Sequence, residues 1–480
     1  MNMRSLVRTA GTVTLLYLSV SLVPALARTT SPFQPPDEKL GVYVVNSGPG
    51  LDTGCTFRSG GPLLINIDIP IVVSDTQVNA NGKLINADAL VSRGIIGRTA
   101  QIDFPVWDVD SDAIVSPPWR PEINVVSFNG VRKGTLEGSN NIWTNAAIQV
   151  DISELKFGMP NELRIDIDTE NTAELWCTAV DWVSVEFDVA LPYVLAHGIN
   201  TTGPDTWEPE ITGRLNEFGV RYTFFTVGRN GSVTDNARQL ETNIKKFLDP
   251  IKADKVHIIA HSKGGLDSQA LQAIGPDFNI RSLSTLSTPH LGSVVADINI
   301  IQLMNADRLE NVGEDPNGYI ASLLRVNPWA GTFANVPERP GLDDLTTQAA
   351  AAALNRRQRG NISPTFAYGG DADINQDGTL QSGERPFFGA DIPWNVMRNF
   401  SRARVVRTYT EPGFLGFGTR TVIEFEATPA GAPLRNDVVV TVNSARPSYV
   451  TDLGVVLENH SSIVDFRYVE QFLNRTLPLR

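Results

Sequence analysis

A doubly wound, mostly parallel α/β domain, preceded by an all-β sandwich and interrupted by a large helical insertion, is the fold class this 480-residue sequence predicts. Three observations predict it. Between about residues 40 and 190, apolar and polar residues alternate with period two. From Leu191 the pattern becomes short apolar runs alternating with helical periodicity. At 256–265, a run of β-formers reaches Ser262 among small residues and passes straight into a helical pattern over Leu266 to Ile274.

The composition is that of a globular chain. With 42% hydrophobic and 19% charged residues it can bury sizeable cores, and its length implies two or three domains. A net charge of -13 argues against nucleic acid, since nothing neutralises phosphates, and no basic run suggests an anionic membrane surface. Residues 1–27 read as a signal peptide: Arg4 and Arg8, an apolar stretch from Thr12 to Pro24, then Ala25-Leu26-Ala27 as a small-x-small cleavage site. The stretch is short for a bilayer span, although an uncleaved anchor is the alternative. The expectation is a soluble mature chain, secreted or periplasmic. The only two cysteines, Cys55 and Cys177, then either close one disulfide or stay buried as free thiols.

Residues 28–190 form the expected sandwich domain. Leu63 to Ile69, Glu162 to Asp168 and Val183 to Phe187 alternate at period two, with turn signals at Asn81-Gly82, Asn129-Gly130, Glu137-Gly138 and Gly158-Met159-Pro160. Val125 to Gly130, then Leu136, Gly138 and Trp143, resemble galactose-binding-like jelly rolls over about 80 residues. Trp107, Trp119 and Trp143 either stack on carbohydrate or pack the interior, the second being the commoner use.

Residues 191–480 form the expected α/β domain. Tyr193 to Ala196 is a continuous apolar run, as a strand covered on both faces requires. A helix from Trp207 to Phe218 ends at Gly219, a strand follows over Val220 to Val227, and Ser232 caps a helix with Val233, Ala237, Leu240, Ile244 and Phe247 on one face. Ser282 to Leu286 reads as one more strand. The reactive ends of such a sheet are the carboxyl ends of its strands, and Ser262 sits at one.

A serine nucleophile needs a base, a group orienting that base, and oxyanion donors. Ala260 and Gly264 provide the smallness a tight strand–serine–helix bend demands, and Gly265 lets the helix pack closely. His197-Gly198-Ile199 is a turn able to aim the amide of Ile199, and the amide of Lys263 at the helix start is the natural second donor. Of five histidines, His257 belongs to the strand, His261 is expected to project away from the serine, and His197 belongs to the donor loop. His290 and His460 remain. His460 lies in a polar loop, Glu458 to Val464, before a terminal helix from Val464 to Leu473. Upstream Asp437 can accept its other ring proton.

Here the chain resembles secreted bacterial lipases and esterases of the α/β-hydrolase fold. The resemblance rests on Ala260-His261-Ser262-Lys263-Gly264, His197-Gly198-Ile199, Ser287-Thr288-Pro289-His290-Leu291-Gly292-Ser293 and the late Asp437 and His460, and covers roughly 191–293 and 430–480. It implies Ser262 as nucleophile, His460 as general base and acid, Asp437 as orienting carboxylate, and the Ile199 and Lys263 amides as oxyanion hole. The family often has glycine after this aspartate, where Val438 stands here; Glu458, Asp452 and Asp465 are the alternative acids. Lys263 replaces a commoner neutral residue, but only its backbone is required.

Residues 294–430 read as a cap or lid insertion with helical stretches at Val294 to Met304, Tyr319 to Val326 and Leu345 to Leu354. It either opens at a lipid–water interface or only shapes the pocket. The loop Pro412 to Gly418 offers apolar side chains to lipid or forms a plain hairpin tip. Within the insertion, Asp373, Asn375, Asp377, Thr379, Gln381 and Glu384 match the twelve-residue Ca²⁺ loop, with Gly378 at the sharp turn and apolar Leu380 at position 8. A structural Ca²⁺ and no organic cofactor are expected. The functional expectation is an exported serine ester hydrolase, lipase or carboxylesterase, acting on lipid or other acyl esters. A lipid-anchor deacylase or polyester depolymerase is the enzymatic alternative, and a glycan- or matrix-binding protein with an inactive hydrolase domain the non-enzymatic one.

Overall fold

The computed structural model describes residues 31–304, 306–313, 340–360, 363–387, 389–413 and 417–480, with 354–360 as backbone. The signal-peptide segment 1–27, the stretch Tyr319 to Val326 and the middle of the loop after Pro412 lie outside the described residues.

Ten strands make up the front: β1 (Val42–Val45), β2 (Thr56–Phe57), β3 (Leu63–Ile69), β4 (Thr99–Trp107) and β5 (Val125–Phe128) come first. β6 (Val131–Thr135), β7 (Trp143–Asp151), β8 (Met159–Asp166), β9 (Cys177–Val180) and β10 (Val183–Glu186) follow. They form two antiparallel sheets. One runs β1-β10-β4-β9-β2 with β7 also paired to β4, and the other runs β3-β8-β5-β6. In β3 the alternation in sequence becomes alternation in space: Leu63, Ile65, Ile67 and Ile69 are buried, with exposed residues between them. These side chains and Phe104, Val183 and Val185 from the facing sheet join one apolar cluster. Cys55 and Cys177 form a disulfide, which pins the two-residue β2 against β9.

Six parallel strands carry the rest: β11 (Tyr193–Ala196), β12 (Tyr222–Phe225), β13 (Lys255–His261), β14 (Asn279–Leu286), β16 (Thr365–Gly370) and β19 (Thr451–Val456), in the order β12-β11-β13-β14-β16-β19. The chain adds β12 on one side of β11 and all later strands on the other. The order therefore reverses beside β13, where such sheets open a crevice. Every residue of β11 is buried. Tyr193 and Leu195 face the large cluster shared with the front sheets, while Val194 and Ala196 face a second cluster with Ala237, Leu240 and Ile244 from the helix Val233–Leu248. Further bonds tie front to back: the Tyr43 hydroxyl donates to the Ile251 carbonyl, and the Ser74 amide to that of Gly219.

Three expectations need correction. The helix expected from Trp207 to Phe218 is two, Gly203–Trp207 and Glu210–Phe218, because Pro209 cannot continue the first. The terminal helix begins at Phe466 with Asp465 as its cap. The segment 294–430 is not only a helical cap. It contains β16, a strand of the main sheet, and a three-stranded sheet of β15 (Arg308–Asn311), β18 (Thr419–Pro429) and β17 (Phe400–Pro412) beside the helices Val294–Leu303, Pro340–Asp344, Thr347–Gly360 and Asp391–Asn399.

The disulfide closes a separation of 122 residues, so removing it frees a large amount of unfolded-chain entropy. Substituting both cysteines with serine is expected to destabilise the protein by about 3–5 kcal/mol. The midpoint of denaturant unfolding checks this, and an unshifted midpoint would show that the bond does not form in solution.

Candidate active site

Ser262 follows β13 directly, with φ 54° and ψ -130°, a conformation that non-glycine residues adopt only when their surroundings impose it. Close approach imposes it here. A Cβ on Gly264 would lie 2.5 Å from the His197 carbonyl oxygen, and one on Gly265 would lie 2.1 Å from Thr288 Oγ1. The small residues after the serine let the helix Lys263–Ile274 descend between the loops that follow β11 and β14.

Three strand ends then converge. His460 comes from the turn after β19, and its Nε2 lies 3.0 Å from Ser262 Oγ. Asp437 lies beside the end of β16, where a Cβ on Gly370 would meet its own Cβ at 2.9 Å. Its Oδ2 is 2.8 Å from His460 Nδ1. The second oxygen, Oδ1, accepts the amides of Val439 and Val440. Burial alone would raise the pKa of this fully buried carboxyl. The facing His460, the Ser287 hydroxyl and the Val440 amide outweigh burial and hold it below the usual carboxylate range. An ionised Asp437 keeps the proton on Nδ1 and turns the Nε2 lone pair toward the serine hydroxyl.

The alternative acids are engaged elsewhere. Asp452 pairs with Arg446, Glu458 with Arg467, and Asp465 caps the terminal helix. His290 is fully buried, with Nε2 3.3 Å from Thr285 Oγ1. His257 is buried in β13 beside Ser282 Oγ.

The donor loop is held by its own histidine. The Val227 amide donates to His197 Nε2, so Nδ1 carries the proton and donates to the Gly198 carbonyl at 2.8 Å. Thr201 Oγ1 adds a second donor to that carbonyl. Carbonyl and amide of one trans peptide point opposite ways, so clamping the Gly198 oxygen directs the Ile199 amide away from it. A Cβ on Gly198 would lie 2.8 Å from Ser262 Cβ, which places this turn against the serine. Among the described residues, neither the Ile199 nor the Lys263 amide has a hydrogen-bond partner.

Three groups were not legible beforehand. Ser287, at the end of β14, supports Asp437 and accepts the Gly370 amide. Lys263 contributes more than a backbone: its side chain is 1% exposed and its Nζ lies 2.7 Å from Asp267 Oδ1, while Asn236 holds the other oxygen. The i, i+4 spacing was its only sequence signal. His261, expected to point away, instead lies with its ring centroid 4.8 Å from that of His460, and its Nε2 is 2.8 Å from the His460 carbonyl oxygen.

The loop Asp373 to Glu384 has part of the calcium-loop form. Gly378 takes φ 81°, Asp373 accepts the Asp377 and Gly378 amides, and Glu384 accepts those of Asn375 and Gln381. Leu380 is buried with Trp394 and Val438. The carboxylates, however, face loop amides rather than one centre, and Arg398 reaches within 3.7 Å of Asp373. Among the described residues, the one group of three His, Cys, Asp or Glu side chains with ligand atoms within 4.8 Å of one another is Cys55, Asp108 and Cys177, and those sulfurs are bonded together.

No family model matches the chain. It is 28% identical over 200 residues to a triacylglycerol lipase of Pseudarthrobacter phenanthrenivorans, covering 40% of this chain and 58% of the relative. Over the same length it is 28% identical to a triacylglycerol lipase of Burkholderia plantarii, covering 40% and 51%. The chain thus spans between half and three fifths of these relatives. A solved Bacillus licheniformis lipase superposes with a TM-score of 0.39 and 18% identity, over 59% of this chain and 92% of that one. The resemblance to bacterial lipases read from the motifs is borne out by the similarity to the two triacylglycerol lipases.

Removing one partner of the buried Lys263–Asp267 pair strands a charge. Asp267→Asn is expected to destabilise by about 3–5 kcal/mol. Adding Lys263→Met is expected to recover most of that loss in denaturant unfolding; a double variant no more stable than Asp267→Asn would contradict the pairing.

Proposed function

We propose that this chain is an exported serine ester hydrolase, a lipase or carboxylesterase that cleaves acyl esters through an acyl-serine intermediate. The observation that carries the reading is the unbroken line Ser262–His460–Asp437 beside two unengaged amides. In this reading His460 Nε2 takes the proton of Ser262 Oγ as that oxygen attacks the ester carbonyl. The charge developing on the carbonyl oxygen falls to the Ile199 and Lys263 amides, the latter backed by the dipole of a twelve-residue helix. The protonated His460 returns its proton to the departing alkoxide. Water then attacks the acyl-serine, gives a proton to Nε2, and the acid leaves as Ser262 is restored.

An acyl chain suits the surroundings. Leu266, Ala296, Leu342 and Leu345 form an apolar cluster against which Ile199, Val233 and Leu303 pack, so the donor loop borders hydrocarbon. The similarity to two triacylglycerol lipases supports the same substrate class. We read the segment holding Leu342 and Leu345 as a cap over this side of the site, and a lipid–water interface as its working surface. Deacylation of a lipid anchor and polyester cleavage use the same chemistry and remain alternative substrates.

Export follows in this reading from the signal-like start and accords with the disulfide. No described helix is long and apolar enough to cross a membrane. The front domain is read as a jelly-roll sandwich. Trp107 and Trp143 pack on each other with centroids 5.6 Å apart, which leaves Trp119 as the exposed tryptophan of the three for any carbohydrate contact. For calcium, the support is the twelve-residue spacing and the Gly378 turn; binding requires Asp373 and Glu384 to turn from loop amides toward a common ion.

Two measurements test the proposal. A fluorophosphonate is expected to label the wild type and not Ser262→Ala; a wild type that takes no label favours a binding protein. EDTA is expected to lower the melting temperature, with recovery on adding Ca²⁺. An unchanged melting curve would exclude a stabilising ion.

A further inference from the structure

His460 sits in a turn between β19 and the terminal helix, and no regular element fixes it. Its ring is nevertheless held within 3.0 Å of one partner and 2.8 Å of the other. Both of its main-chain groups are also engaged. The His460 amide donates to the Asp437 carbonyl at 2.9 Å. The His460 carbonyl lies 2.8 Å from His261 Nε2. A carbonyl only accepts, so His261 Nε2 carries the proton. His261 Nδ1 is buried without a partner among the described residues, so a second proton there would be a stranded donor. The ring is therefore neutral, and burial pushes its pKa down to about 3, well clear of working pH.

We propose that His261 is a positioning residue, which fixes the His460 turn to the nucleophile's own strand through the hydrogen bond from its Nε2 to the His460 carbonyl and the packing of one ring on the other. This inference rests on the hydrolase reading. The connection is a closed loop. Ser262 Oγ meets the His460 ring, the His460 carbonyl meets the His261 ring, and His261 is bonded to Ser262. Asp437 grips His460 in the same double manner, by ring and by main chain. Each neighbour thus fixes both the direction of the imidazole and the place of the backbone that bears it. Histidine suits this position because its donor lies far enough from Cα to reach across. Because the ring stays neutral, it also places no second charge against His460 when that imidazole takes a proton.

The test compares three substitutions. His261→Gln keeps an N–H donor at a similar reach, His261→Asn carries its amide one bond short, and His261→Leu has none. With a nitrophenyl ester as substrate, Leu and Asn are expected to lower kcat about 10–100-fold, the effect of a misplacement near 1 Å. KM is expected to stay within about twofold, because the residue touches no substrate in this reading. Gln is expected to recover most of kcat, and melting temperatures report whether each variant folds. Wild-type kcat in the Leu variant, or in Asn should Leu not fold, would overturn the assignment. So would a Gln variant as slow as Leu. A wild type that resists fluorophosphonate removes this inference together with the hydrolase reading; a labelled wild type with a fully active Leu variant removes this inference alone.

Discussion

A serine held at φ 54° costs on the order of 1–3 kcal/mol, and the arrangement of the site depends on something imposing that cost. What imposes it is closeness. Ala260 and Gly264 leave no bulk between the bend and β11, and Gly198, just past β11, brings the donor turn against the serine itself. The same contacts that strain the backbone project its hydroxyl above the sheet and put beside it two amides that have no partner among the described residues. Strain, presentation of the hydroxyl to His460 and placement of the donors are therefore one event, and a methyl group at Gly198, Gly264 or Gly265 would disturb all three.

A second strained residue flanks the acid. Val438 has φ 89°, a conformation unfavourable for a β-branched side chain. A glycine at this position would adopt such a backbone without strain. Here packing supplies what glycine would otherwise allow. Val438 is fully buried with Ala372, Leu380, Ala390 and Trp394, and its amide bonds Asn436 Oδ1. Leu380 belongs to the acidic loop Asp373 to Glu384, whose last carbonyl also accepts a bond from the Asn459 side chain, next to His460. The loop thus braces the turns that carry both Asp437 and His460. Whatever orders that loop therefore orders the relay.

Much of this was legible beforehand. The burial of every second residue in β3 follows from its alternation, and the full burial of β11 follows from its apolar run. Ser262, Asp437 and His460 were legible from motif and chain order, and the structure brings these same three together. What was not legible depends on contacts distant in sequence. β16 opens with Thr365-Phe366 and ends in two glycines, a weak local strand signal; only its place between β14 and β19 makes it part of the main sheet. The hairpin of β17 and β18 is pinned by pairs such as Arg404–Glu426 and Arg407–Glu424, which residue types alone cannot register. The direction of His261 was not legible either, because its place before Ser262 does not reveal that the turn after β19 brings the His460 carbonyl and ring against it.

Lys263 shows how one position reconciles two requirements. The oxyanion hole needs its amide, at the first turn of a helix whose dipole favours negative charge there. A free ammonium at the same place would be drawn to the incoming oxyanion or to Asp437. Asp267, one turn later, draws the side chain down into the protein and neutralises it, and Asn236 occupies the remaining carboxylate oxygen. A buried ion pair is a poor source of stability in itself. Its value here is positional, because it removes a mobile cation from the site and leaves the backbone amide as what Lys263 offers to the reaction.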